Sequence, residues 1–217
     1  MERIHPYIYR IDGTVANQYL VIDQNNIILI DTGLPNNTAK IIKAINSLGK
    51  NITDLRQIWI THSDGDHYGS VNALVRMSKA ITFASHIEAD AIRNGKSTRP
   101  LRPNGILKFL LPLFSMFFKT SPTPVDEMLI PGQILPIFDG IQILDSKGHT
   151  PGHISFFNPS DRILFSGDSI CINGKQTTPS RGANTWDINL ANQSYDYQMS
   201  FEPIMICAGH GYLRLSK

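Results

Sequence analysis

Within the six positions 62 to 67 the chain places His62, Asp64, Asp66 and His67, four side chains able to ligate a metal. Ser63 and Gly65 stand between them, and small residues let a backbone turn tightly enough to aim such groups at one point. The theme returns in Gly148-His149-Thr150-Pro151-Gly152-His153, in Ser166-Gly167-Asp168 and in Ala208-Gly209-His210-Gly211. Imidazole and carboxylate together form a donor set for zinc, iron or manganese. One histidine in a loop is ordinarily a hydrogen-bonded structural residue; the ordered series points to metal chemistry. No G-x-S-x-G segment offers a serine nucleophile, so activation of water by metal ions is the chemistry these residues suit.

The surrounding segments have the texture needed to position them. Tyr19–Ile22 and Ile27–Ile30 are apolar, β-branched runs separated by the polar cluster Gln24-Asn25-Asn26, which predicts a hairpin. Residues 36 to 49 carry apolar positions at 41, 42, 45 and 48, a helical stripe ending at Gly49. Gln57–Ile60 reads as a buried strand that runs straight into His62. Residues 69–80 and 86–94 read as helices around a strand at 81–84. In the second half Ile141–Leu144, Ile154–Phe157, Ile163–Phe165 and Ile204–Cys207 are strand candidates, with a helix over Asp187–Ser200 before the last. Two comparable halves of mixed strands and helices predict an α/β sandwich with helices outside the sheets.

The chain has 217 residues, a formal net charge of +2 and 41% apolar residues, which fits one domain over residues 1–217 and excludes a disordered chain. Near-neutral charge gives no global field for nucleic acid. Cys171 and Cys207 make no disulfide framework or Cys-x-x-Cys motif, and both are expected to be buried. The N-terminus has no run of signal-peptide character, so cytoplasmic residence is expected.

From Ala91 to Val125 the composition changes. This stretch has no acidic residue, six basic ones (93, 96, 99, 102, 108 and 119) and five prolines. Its apolar segment from Ile106 to Phe118 is 13 residues long, too short to span a bilayer. It is expected to form a cap insertion over about 91–125, with Phe109, Leu110, Phe114 and Phe117 facing substrate. A buried core helix, a homodimer interface and peripheral contact with an anionic membrane are the alternatives. Among the remaining histidines, His86 is expected to cap a helix or sit at a rim, and His5 to be solvated.

The series Asp31-Thr32-Gly33, His62-x-Asp64-x-Asp66-His67, His149, Asp168 and His210 resembles the metallo-β-lactamase-fold hydrolase superfamily, over about residues 15 to 212. The usual second motif is His-x-His-x-Asp-His, and Asp64 stands in the place of its middle histidine. The resemblance implies a four-layer αββα sandwich with a two-metal site at one edge of the sheets. By position, His62, Asp64 and His149 would hold the first metal, and Asp66, His67 and His210 the second, with Asp168 bridging. Asp31 would orient a ligand by hydrogen bonding, and His153 would support the site rather than ligate.

Three carboxylates and a bridging hydroxide would cancel the charge of two divalent ions, one charge lower than the all-histidine arrangement. Zinc is the expected metal, while the lower charge and the oxygen ligand of Asp64 make iron or manganese possible and predict a weaker or mixed-metal first site. The implied activity is hydrolysis of an ester, lactone, thioester or phosphoester by a metal-bound hydroxide, with Asp66 as a catalytic group and an amphipathic small molecule as substrate. An iron-dependent redox enzyme and a non-catalytic ligand binder on the same fold are the other readings.

Overall fold

The computed structural model describes residues 1–12, 15–24, 26–99 and 120–215. Phe109, Leu110, Phe114 and Phe117, expected to line a cap, lie outside the described residues. The first sheet runs in spatial order β1 (Glu2–His5), β2 (Ile8–Ile11), β3 (Gln18–Asp23), β4 (Asn26–Ile30), β5 (Leu55–Trp59), β6 (Ile81–Ser85) and β7 (Glu127–Leu129). Its first four strands form an antiparallel meander, and β4 to β7 are parallel. Parallel strands need crossovers, and these are supplied by α1 (Thr38–Ser47), by α2 (Gly65–Tyr68) with α3 (Val71–Ser78), and by α4 (His86–Arg93).

The second sheet has the order β15 (Tyr212–Arg214), β14 (Met205–Ala208), β11 (Ile163–Gly167), β10 (Ile154–Asn158), β9 (Ile141–Asp145) and β8 (Ile134–Leu135). α5 (Ile188–Met199) precedes β14, which pairs parallel to β11. A separate hairpin joins β12 (Ile170–Asn173) to β13 (Gln176–Pro179).

The four layers follow from which face each apolar residue takes. In β4, Ile28 and Ile30 point into a core shared with Phe156, Phe165, Met205 and Cys207 of the second sheet. Ile27 and Leu29 point the other way, against Ile41 and Ile45 of α1 and Leu74 of α3. A strand buried on both faces is apolar throughout, which is why this run shows no alternation. Leu144, Phe157, Leu164 and Ile206 cover the far side of the second sheet, beneath Tyr195 and Met199 of α5. The expected sandwich is therefore the observed architecture.

Several local expectations need correction. Residues 91–93 are the last turn of α4, so this helix runs into the start of the basic stretch. Ser85, not His86, caps α4, its side chain accepting from the Glu88 backbone N–H. Cys171 is exposed on β12, whereas Cys207 is buried. His5 is half-buried at the end of β1, edge-on to Tyr7 with ring centroids 4.4 Å apart. Among the described residues, no helix is long and apolar enough to cross a membrane.

Candidate metal centre

The residues singled out above converge at one end of the sandwich, at the carboxyl ends of β4, β5, β9, β11 and β14. Asp31 follows β4 with a left-handed φ of 56°. His62, Ser63 and Asp64 fill the connection from β5 to α2, and α2 presents Asp66 and His67. His149 lies beyond β9, Asp168 directly after β11, and His210 between β14 and β15. Both sheets contribute, so the centre is assembled only when they pack together.

Three overlapping groups of side chains place one ligand atom each within 4.8 Å of the others: His62, Asp64 and His149; His62, His67 and Asp168; and Asp66, His67 and His210. Asp168 faces both ends of the cluster. Its Oδ1 is 3.3 Å from His67 Nε2, and its Oδ2 is 3.6 Å from His149 Nε2 and 3.2 Å from His210 Nε2. Asp64 Oδ2 is 3.1 Å from His149 Nε2 and 3.5 Å from His62 Nε2. Asp66 Oδ2 stands 4.0 Å from His67 Nε2 and 3.9 Å from His210 Nε2.

Each imidazole is oriented through its other nitrogen. His62 Nδ1 meets Thr61 Oγ1 at 2.9 Å, His67 Nδ1 meets Asp31 Oδ2 at 2.8 Å, and His149 Nδ1 meets Ser180 Oγ at 2.9 Å. His210 Nδ1 donates to the Val15 carbonyl at 2.9 Å. All four Nε2 atoms are thereby turned toward the centre, the arrangement that fixes tautomers at metal sites. Asp31 also accepts from the backbone N–H and hydroxyl of Thr61. His153 is buried behind the cluster, accepting from the Asp168 backbone N–H at 3.1 Å and contacting Ser146 Oγ at 2.8 Å.

Among the described residues, His62 Nε2, His67 Nε2 and Asp168 Oδ1 are buried with no hydrogen-bond partner. Leaving buried polar atoms unpaired costs about 1–3 kcal/mol each. Two imidazole nitrogens and a carboxylate oxygen orphaned side by side fit divalent metal ions.

The electrostatics carry the same signature. Burial opposes charge on His67, but Asp168, Asp31 and Asp66 together hold its pKa well above the usual 6.5. Burial would raise Asp168, yet His67, His210 and His149 hold it well below the carboxylate range. Asp64 is likewise held low, against burial, by His149 and His62. Burial pushes His149 down despite Asp64, and pushes His153 well down, with His62 and His149 adding to the effect. The hydrogen bond with Asp168 raises His210.

Two residues at the centre carry no sequence expectation of this role. Glu88 of α4 is fully buried and gathers three loops. It accepts from the Ser63 backbone N–H (2.9 Å) and hydroxyl, from Thr98 Oγ1 (3.1 Å), from Thr150 Oγ1 (2.7 Å) and from the Gly152 N–H (2.9 Å). An acidic residue on the same face as buried Ala89 and Ile92 was the available signal. Arg99 is buried and paired with Asp64 through both Nε and Nη2. Nothing in the sequence pattern distinguishes it from the other basic residues of that stretch. The carboxylate count drawn from the sequence therefore overstates the negative charge: the guanidinium offsets Asp64, and the total matches the all-histidine arrangement.

Comparison with known proteins places the chain among relatives of the same fold. The chain is 29% identical over 205 residues to YobT of Bacillus subtilis (strain 168), covering 90% of this chain and 83% of that one. It is 26% identical over 162 residues to the probable metallo-hydrolase YflN of the same organism, covering 72% and 61% respectively. The crystal structure of a metallo-beta-lactamase family protein from Thermus thermophilus superposes with a TM-score of 0.73 at 21% identity, covering 98% of this chain and 76% of that one, and shows the shared fold. The family model of the metallo-beta-lactamase superfamily matches residues 11–210, and the chain belongs to that superfamily.

Proposed function

We propose that this protein is a dinuclear-metal-dependent hydrolase of a small molecule carrying an ester, lactone, thioester or phosphoester bond, organised as one domain. The observation that carries the reading is the convergence of ligand atoms from beyond four strand ends, three of these atoms buried and unpaired among the described residues. His62, Asp64 and His149 would hold one metal, Asp66, His67 and His210 the other, and Asp168 stands where it can serve both. Zinc is the expected metal, and the oxygen of Asp64 leaves iron or manganese as candidates for the first position. When bound, such a pair lowers the pKa of water from 15.7 toward about 7 and polarises the carbonyl or phosphoryl oxygen under attack.

The protein's own groups do the rest. Asp31, Thr61, Ser180 and the Val15 carbonyl aim the imidazoles, so little reorganisation is needed during turnover. Asp66 is the least buried of the four aspartates Asp31, Asp64, Asp66 and Asp168. Its place beside His210 at the open rim suits it to carry a proton to the leaving group. His210, with its side chain 49% exposed, marks the side from which substrate arrives.

Metal analysis of the purified protein, paired with a lactone, thioester, phosphodiester and β-lactam panel, tests the reading. The expected result is bound divalent metal and turnover of one class, lost in His67→Ala and Asp168→Ala. A protein that retains no metal and cleaves none of the panel would overturn it.

A further inference from the structure

The ligand set does not account for Arg99. Its side chain is 6% exposed, its Nε donates to Asp64 Oδ2 at 3.1 Å, and its Nη2 donates to the same oxygen. Nη1 is buried with no partner, so among the described residues Asp64 is the only hydrogen-bond partner of the guanidinium. Ser97 Oγ donates to the other carboxylate oxygen at 2.8 Å.

Asp64 Oδ2 is also the atom that faces His149 and His62. One oxygen thus has two claimants: a guanidinium that is always charged, and any cation seated among His62, Asp64 and His149. The other end of the cluster differs. Among the described residues, the ion-pair partners of Asp66 and Asp168 are histidines only, which become neutral when they ligate.

We propose that Arg99 is the resident cation of the first subsite, competing with a divalent metal for Asp64 Oδ2. The centre then holds one metal firmly at Asp66, His67, His210 and Asp168 and admits a second only weakly. Repulsion between like charges in a buried setting and loss of the shared oxygen act in the same direction. A guanidinium that merely steadied Asp64 as a ligand would have the opposite effect, because removing it would weaken the first subsite. The inference rests on the metal-centre reading above.

The test is calorimetric titration of metal-free protein with zinc, with metal content measured after desalting. Wild type is expected to bind one equivalent firmly and a second at least tenfold more weakly. In Arg99→Gln the second equivalent should tighten at least tenfold, and Arg99→Lys, which keeps the charge, should stay close to wild type. Two equivalents of matched affinity in wild type would overturn the proposal, as would a second equivalent that weakens or stays unchanged in a folded Arg99→Gln protein. If that variant does not fold, the wild-type titration alone decides between unequal and matched sites. Binding of no metal at all would instead sink the metal-centre reading, and this inference with it.

Discussion

Replacing Glu88 by Gln changes one carboxylate oxygen to an amide and leaves the volume nearly the same. Five donors converge on this buried side chain: two from Ser63 and one each from Thr98, Thr150 and Gly152. The three hydroxyls can rotate to accept from the new amide, but a backbone N–H cannot. Whichever way the amide faces, either Ser63 N–H or Gly152 N–H is left opposite another donor. A stranded buried N–H costs about 1–3 kcal/mol, and the remaining bonds lose the extra strength that a charged acceptor gives. The expected loss is about 2–4 kcal/mol. At roughly 2–4 °C per kcal/mol for a chain of this size, Tm should fall by roughly 4–16 °C. Chemical denaturation and thermal melts of metal-free protein measure it without interference from ligation. A Glu88→Gln protein within about 0.5 kcal/mol of wild type would refute the idea that this carboxylate ties the three loops together.

Other expectations follow from the same geometry. Asp31→Asn removes the charged acceptor at His67 Nδ1 and should weaken metal retention about 10–100-fold, read by competition with a chromogenic chelator. In metal-free protein Asp168, Asp31 and Asp66 hold the His67 pKa well above 6.5, so its stabilising pairing is complete below that pH and is lost as pH rises through the raised value; Tm should fall as pH rises above the ordinary histidine range, and a flat profile would count against it. Gly209→Ala would bring a Cβ to 2.1 Å from Asp168 Oδ1 and 2.6 Å from His67 Cε1, so the variant should fold but lose metal, visible as folded protein with a metal content near zero.

The candidate ligands were legible because His62, Asp64, His149, Asp168 and His210 lie in loops beyond strands beside a serine or glycine, Asp66 and His67 follow closely in the same run, and the ordered series resembles a known motif set. The central strands were legible for a similar reason, since burial on both faces makes them apolar runs. β1, β2, β12 and β13 lie toward sheet edges or in the separate hairpin, where charged and polar residues such as Glu2, Arg10 and Gln176 dilute that signal. Glu88 and Arg99 were hidden by a different cause. Their roles depend on what the fold brings opposite them: Gly152 lies 64 residues from Glu88, and Asp64 lies 35 from Arg99. The stacking of His62 on His153, with centroids 4.8 Å apart, is equally a product of two sheets meeting.

His62 and His67 belong to the connection after β5 of the first sheet, whereas Asp168 and His210 belong to the second. An ion shared by these groups would close a loop of well over a hundred residues, comparable in reach to a long-range disulfide. Occupancy would then act as a clasp on the whole sandwich: a chelator should lower the cooperative melting of both halves together, not just loosen the loops at one end.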